Sequence, residues 1–208
     1  MKNPGPIIYI VDDDVSVCRA LLLLLKSHGF NVQAFTHPAD FLACKRLNVP
    51  SCLVLDIRLP DINGLALQDA MAARKLTTPI IFITGHGDIP MSVRAMKAGA
   101  IDFLPKPFTE KKLLNAITQA LSKSKAIIKE QAEISKIKRH IKTLSPRELE
   151  VFGLVAKGLM SKNIAFKLGT SLQTIKVHRG RVMQKMRART VTELIHFAHK
   201  AGITSFKG

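Results

Sequence analysis

The chain has 208 residues, 47% of them apolar and 23% charged, with 32 Lys and Arg against 15 Asp and Glu. That balance supports two modest domains with cores of their own and excludes a disordered chain. The longest apolar stretch in a helical context, Ala20 to Leu25, is far too short to span a bilayer, and no N-terminal signal pattern is visible. Cys18, Cys44 and Cys52 are odd in number and lack metal-site spacing, so they read as reduced thiols of a cytoplasmic protein.

The charge is unevenly spread. Residues 1–122 hold 13 Lys and Arg against 10 Asp and Glu, a net +3, whereas residues 123–208 hold 19 against 5, a net +14. A strongly basic half suits a polyanionic partner; a basic surface kept for solubility is the plainer alternative.

The first half alternates. Ile7 to Val11 is a short apolar run, and Val15 to Ser27 has helical periodicity broken at Gly29. Val32–Phe35, Leu53–Asp56, Pro79–Thr84 and Ile101–Leu104 read as further strands. Between and after them, Pro38–Lys45, Gly64–Arg74, Pro90–Ala98 and a stretch from Glu110 onward read as helices. Strands alternating with helices predict a parallel sheet covered on both faces, with its site outside the carboxyl ends of the strands. From Lys111 to Lys142 neither Gly nor Pro interrupts the pattern. Ile127, Ile134 and Ile141 recur at heptad spacing, with Ile137 and Leu144 three after the last two, so a linker helix is expected, either pairing weakly as a coiled coil or packing on its own domains.

The remainder is helical in pattern. In LSPRELEVFGLVAKGL, Ser145, Pro146 and Glu148 form a capping-box signature. SKNIAFKLG is a short helix followed by Gly169; Ser171 or Thr170 caps LQTIKVHRGRVMQKM; a last helix runs from about Thr192 to Lys200. A helix, a glycine turn and a second, basic helix carrying Lys176, Arg179, Arg181 and Lys185 match the helix-turn-helix pattern, whose second helix enters the major groove.

Four strand ends gather chemistry. Asp12, Asp13 and Asp14 follow the first strand, Asp56 ends the third, Thr84 ends the fourth and Lys106 follows the fifth. Singly these are a helix cap, a strand residue and a solvated lysine. Together, at one end of a parallel sheet, carboxylates that repel one another call for a cation. Oxygen donors suit Mg²⁺. A metal, a lysine and a hydroxyl around one carboxylate make a place for a phosphoryl group.

IVDDD, LVLDIRLPDING, IFITGHGD and AGAIDFLPKPF resemble the receiver domain of bacterial two-component response regulators, over about residues 6–122. The resemblance implies phosphorylation of Asp56 by a sensor histidine kinase, so Asp56 is expected to be exposed at its strand end. It implies Mg²⁺ held by Asp12, Asp13, Asp56 and the backbone carbonyl of Arg58. Thr84, Phe103 and Lys106 fall on the switch hydroxyl, the aromatic switch and the phosphate-pairing lysine, and Pro107 on the cis-proline that orients the lysine. Gly85 stands where the family often has Ala, which leaves the roof of the site more open.

Residues 144–203 resemble the LuxR-type four-helix DNA-binding domain, and the pair of domains resembles the NarL/FixJ family. The long helical linker resembles that of the FixJ-like members, the styrene-catabolism regulators among them. The fold expected is therefore α/β, a five-stranded parallel doubly wound receiver over 6–122, then a helical linker over 123–142 and an all-α four-helix domain over 143–205. The resemblance implies Thr174, Lys176, Val177 and Arg181 at or near double-stranded DNA, Lys162 and Asn163 near phosphates, and His178 on the DNA side or its edge. Gly180 costs the second helix about 1 kcal/mol against Ala, which suggests a close approach there. A face with Met91, Arg94, Lys97, Ala100 and Asp102 is expected to pair two copies on phosphorylation, and Leu194, Ile195, Phe197 and Ala198 to add a second contact between DNA-binding domains.

The function expected is a non-enzymatic, phosphorylation-controlled regulator of transcription acting on a promoter with RNA polymerase, an activator by the family's habit. The alternative is a phosphoryl-relay or protein-interaction receiver whose basic helical tail binds a protein. A metal-dependent phosphatase would need a further general base near Asp56, and the sequence offers none.

Overall fold

Five short apolar runs form β1 (Ile7–Val11), β2 (Asn31–Phe35), β3 (Ser51–Asp56), β4 (Ile80–Thr84) and β5 (Asp102–Pro105) in a computed structural model that describes residues 5–60, 62–85 and 89–203. Asp61, the His86–Gly87–Asp88 part of IFITGHGD, and residues 204–205 of the expected helical domain lie outside the described residues. All pairings are parallel, in the order β2-β1-β3-β4-β5. Near-continuous runs of Ile, Val and Leu suit strands buried on both faces.

Alternate side chains fill two cores. Ile7, Tyr9, Val11, Leu53, Leu55 and Phe82 face one way, against Phe41 of α2 (Pro38–Ala43), Leu67 and Met71 of α3 (Gly64–Ala73), and Ala95 of α4 (Ile89–Lys97). Ile8, Ile10, Val54, Ile81 and Ile83 face the other way, against Leu21 and Leu25 of α1 (Val15–Ser27) and Leu113 and Ile117 of α5 (Glu110–Ile141). Cys18 and Cys52 are buried and Cys44 half-buried, with no disulfide; burial pushes the Cys52 thiol up to about 12.

Some boundaries differ from the expectation. α2 stops at Ala43, because the Cys44 backbone turns extended and the Arg46 guanidinium takes the Phe41 carbonyl at 2.9 Å. β5 begins one residue late, and its ladder continues where the Lys106 amide donates to the Thr84 carbonyl at 2.7 Å.

The chain divides into two units, Met1–Lys129 and Glu130–Gly208. In the second, α6 (Pro146–Ala156), α7 (Ser161–Lys167), α8 (Leu172–Met186) and α9 (Val191–Lys200) enclose Val151, Phe152, Ile164, Ile175, Val182 and Leu194. Ile137 is buried in this core, and Ile141 and Leu144 pack against it. Most of the heptad seam is thus spent inside the unit, leaving Ile127 and Ile134 half-buried. Helix α9 starts at Val191, capped by the Thr190 hydroxyl. Leu194 and Ala198 are buried in this core with Phe197 packed against it, so those two side chains are not free for the expected second contact, while Ile195 and Phe197 are half-buried. Ser171, and not Thr170, caps α8.

Glu148 completes the capping box on Ser145 and also accepts from the Lys185 ammonium at 2.6 Å, joining α6 to α8. Its side chain is 4% exposed, and Lys185, followed by the Ser145 amide, holds its carboxyl below the ordinary value of 4.5. A folded-state pKa below the unfolded one stabilises above the unfolded value, and the gain is lost as pH falls through the folded one. Thermal melts taken from about pH 6 to about pH 3 should show Glu148→Gln flatter than the parent, with the variant already about 1–2 kcal/mol less stable at neutral pH. Parallel melting curves for the two proteins across that range would remove this ion pair from the stability of the helical unit.

Candidate functional site

The carboxyl ends of β1, β3 and β5 bring three charges together. The Lys106 ammonium lies 2.8 Å from Asp12 Oδ2 and 2.9 Å from Asp56 Oδ2. Carboxylate oxygens of Asp12, Asp13 and Asp56 lie within 4.8 Å of one another. Asp12 is fully buried, Asp13 exposed. Asp56, read from sequence as exposed, is 7% exposed: β3 runs on both sides against neighbours, and Lys106 covers the end.

Each side chain is held by its backbone. Asp14 takes the capping role, accepting from the Ser16 amide at 2.7 Å, which leaves its neighbours to the site. Asp12 Oδ1 accepts from the Asp14 amide at 3.0 Å, and Asp56 Oδ1 from the Arg58 amide at 3.1 Å. Arg58 thus reaches Asp56 through its N–H; its side chain is exposed. The Lys106–Pro107 bond is cis. Gly64, missed from sequence, opens α3 so close to the strand that a Cβ would stand 2.5 Å from the Asp56 carbonyl oxygen. The signal available was a glycine directly before an apolar helix, where a capping asparagine already suffices.

Burial pushes the Asp12 carboxyl up, outweighing the lowering by the Lys106 hydrogen bond and charge. Burial alone would lower the Lys106 ammonium, but the hydrogen bonds and charges of Asp12 and Asp56 together raise it. One cation between two acids therefore stays charged, while the deeper acid resists ionisation. The donor set is all oxygen, with carboxylates converging on one point, and it fits a small hard cation of the Mg²⁺ type.

Thr84 is fully buried at the end of β4, and Phe103 is half-buried, its ring centroid 6.4 Å from that of Phe82. Gly85 is exposed, and a Cβ there would meet nothing within 4 Å. On the expected pairing face, Arg94 and Lys97 are exposed, and Met91 and Asp102 are half-buried. Ala100 does not: it is 7% exposed, taken into the core with Ala95 where the chain turns from α4 into β5. The exposed apolar side chains there are Val93 and Met96, and Arg94 lies 3.4 Å from Asp69.

In the helical unit, Lys162, Asn163, Thr174, Lys176, Val177 and Arg181 are exposed. His178 is half-buried, with Nδ1 enclosed and without a hydrogen-bond partner. Two cations read as part of the basic face are engaged inside it. Arg179 donates to the Ser161 hydroxyl at 2.8 Å, fixing α8 on α7, and Lys185 holds Glu148. Gly169 makes the turn between those helices with φ of 58°, a conformation costly for a side chain. Gln173, Val177 and Arg181 share one exposed face of α8 at spacing of four. Glutamine is a residue type that can pair with adenine edges, and the four-residue spacing to Val177 and Arg181 is visible in the sequence.

Two family models match, "Response regulator receiver domain" over residues 8–118 and "Bacterial regulatory proteins, luxR family" over residues 142–198. Nodulation protein W of Bradyrhizobium diazoefficiens is 46% identical over 199 residues, 96% of this chain and 88% of that protein. Transcriptional regulatory protein FixJ of the same organism is 40% identical over 197 residues, 94% of this chain and 96% of that protein. The solved structure of response regulator StyR superposes with a TM-score of 0.78 at 44% identity, covering 94% of this chain and 99% of that one. Acids and a lysine at the ends of a parallel sheet, followed by a helix-turn-helix, place the chain in the NarL/FixJ family of two-component response regulators.

Proposed function

We propose that Asp56 is the phosphoacceptor of a sensor histidine kinase and that its phosphorylation controls DNA binding and transcription. The observation that carries this is the carboxylate held between the Arg58 amide and the Lys106 ammonium, beside Asp12 and Asp13. An Asp56 oxygen attacks phosphorus; a P–O bond forms as the donor's P–N bond breaks, and the leaving imidazole takes up a proton from water. Lys106 pairs with the phosphoryl oxygens, and Arg58 orients the acceptor. Bound at Asp12, Asp13, Asp56 and the Arg58 carbonyl, Mg²⁺ would supply neutralisation of the phosphoryl charge. The Thr84 hydroxyl moves toward the new acceptors, and Phe103 takes the space it leaves. Asp56→Asn should lose labelling by a small phosphodonor and by a kinase; undiminished stable labelling would remove Asp56 from this role.

The helical unit reads double-stranded DNA through Thr174, Lys176, Val177 and Arg181, with Lys162 and Asn163 on the backbone and His178 at the edge. A palindromic promoter site and activation through RNA polymerase complete the reading. Its support is an exposed helix face bearing cations with no acid beside them. The slope of log affinity against log salt on duplex DNA should be steep, and Lys162→Gln should reduce it by about 0.9 if that lysine meets one phosphate. Salt-insensitive binding would favour a protein partner for the basic tail.

Phosphorylation pairs two copies through α4 and β5, where Met91, Val93 and Met96 lie among Arg94, Lys97 and Asp102. Apolar groups among charges of both signs make the self-complementary patch a two-fold contact requires. In sedimentation with a phosphoryl mimic, the parent should run as a dimer and Arg94→Glu as a monomer. A monomeric parent that still binds a palindrome at full affinity would leave the pairing to DNA.

A further inference from the structure

At the end of α5, away from every residue given a role above, Lys136, Arg139, His140, Thr143 and Arg187 line a cavity of about 310 Å³. That is at the lower end of ligand pockets, roughly 300–1,000 Å³. No acid lines it. The five acids of residues 130–208 are Glu130, Glu133, Glu148, Glu150 and Glu193. Four are engaged elsewhere: Glu133 with Lys200, Glu148 with Lys185, Glu150 with Arg147, and Glu193 with the Arg189 amide. Glu130 stands six positions before Lys136 on the same helix, about 9 Å along its axis.

The plainer explanation is that cations gather at helix C-termini. It accounts for only part of the charge. The ends of α5 and α8 each carry roughly half a negative charge, so together they balance about one cation. Lys136, Arg139 and Arg187 are three, before His140 is counted. Arg187 adds a second observation. It caps α8 with φ of 55° and ψ of 32°, where glycine or asparagine fits and a long side chain is uncommon. An arginine stands where the backbone disfavours it, and its side chain lines the cavity.

We infer that this cavity binds a phosphate-type oxyanion, held by the Arg139 and Arg187 guanidinium groups with Lys136 and His140 around it. Arginine forks match tetrahedral oxyanions with paired N–H donors. The oxyanion is either a free phosphate compound or a phosphate of DNA. Arg187 lies about 9 Å along α8 from Arg181, the last of the groove-reading positions, and about 20 Å from Thr174, at 1.5 Å per residue.

The test uses the full chain and two variants, Arg139→Gln and Arg187→Gly. The second suits the positive φ, so it keeps the fold while removing the guanidinium. Inorganic phosphate should raise the parent's melting temperature above that in sodium chloride of equal ionic strength, with each variant binding phosphate about tenfold more weakly. That result identifies a free anion. If phosphate has no effect but both variants lower the salt slope on a short duplex, by about 0.9 per lost contact, the oxyanion belongs to DNA. If neither readout separates the variants from the parent, the cavity binds no oxyanion and the inference fails. Loss of duplex binding by all three proteins would bear on the proposed function, while the phosphate arm still reads the cavity.

Discussion

The receiver half is organised around one ammonium ion. Lys106 holds Asp12 and Asp56 at 2.8 and 2.9 Å, and without it two carboxylates would face each other at the end of a buried sheet. Two like charges about 4 Å apart repel by roughly 4 kcal/mol at the effective dielectric of a protein surface. The strand order makes the lysine's reach informative. β3 and β5 are separated by β4, so Lys106 crosses the end of β4 to reach Asp56. At that crossing the Lys106 amide donates to the Thr84 carbonyl. The residue beneath the lysine and the residue bearing it are tied by one bond of 2.7 Å.

This linkage gives a physical route from charge to surface. A group added to Asp56 competes for Lys106, and β4 and β5 meet the change first. Phe82 and Phe103 are register partners on those strands, with ring centroids 6.4 Å apart. Phe82 is fully buried in the core, whereas Phe103 is half-buried. On the other side the site is rigid. Gly64 presses against the Asp56 carbonyl, and its amide donates to the Ile57 carbonyl at 2.8 Å.

Much of this was legible in the chain itself. Alternating apolar runs gave the sheet, and acids, a threonine and a lysine at successive strand ends gave the site, because both depend on short-range pattern. The Ser145–Glu148 capping box was legible for the same reason. What was not legible depends on distant partners. The burial of Asp56 needs a lysine 50 positions away, and the use of Lys185 in architecture needs a glutamate 37 positions away. Ala100 was placed on the pairing face with Arg94, Lys97 and Asp102, yet the turn after α4 carries it inward. Ile137 fitted a heptad seam equally well, and only the folded helical core shows where it is spent.

The +14 of residues 123–208 is best understood as two populations of cations. One is fastened: Lys185 to Glu148, Lys200 to Glu133, Arg147 to Glu150 and the Leu168 carbonyl, Arg179 to the Ser161 hydroxyl. These contacts join α6 to α8 and to the end of α7, α8 to α7, and α9 to α5, so they set the helix packing. The other population, including Lys162, Lys176 and Arg181 on the helix-turn-helix and Lys136, Arg139 and Arg187 at the α5 end, meets no acid among the described residues. A domain with only five acids cannot neutralise these groups internally. Crowding them on a small unit lowers its stability through self-repulsion, and an arriving polyanion relieves that repulsion. The apolar core builds the fold, the paired cations tie its helices together, and the unpaired ones leave it poised to gain stability when a polyanion binds.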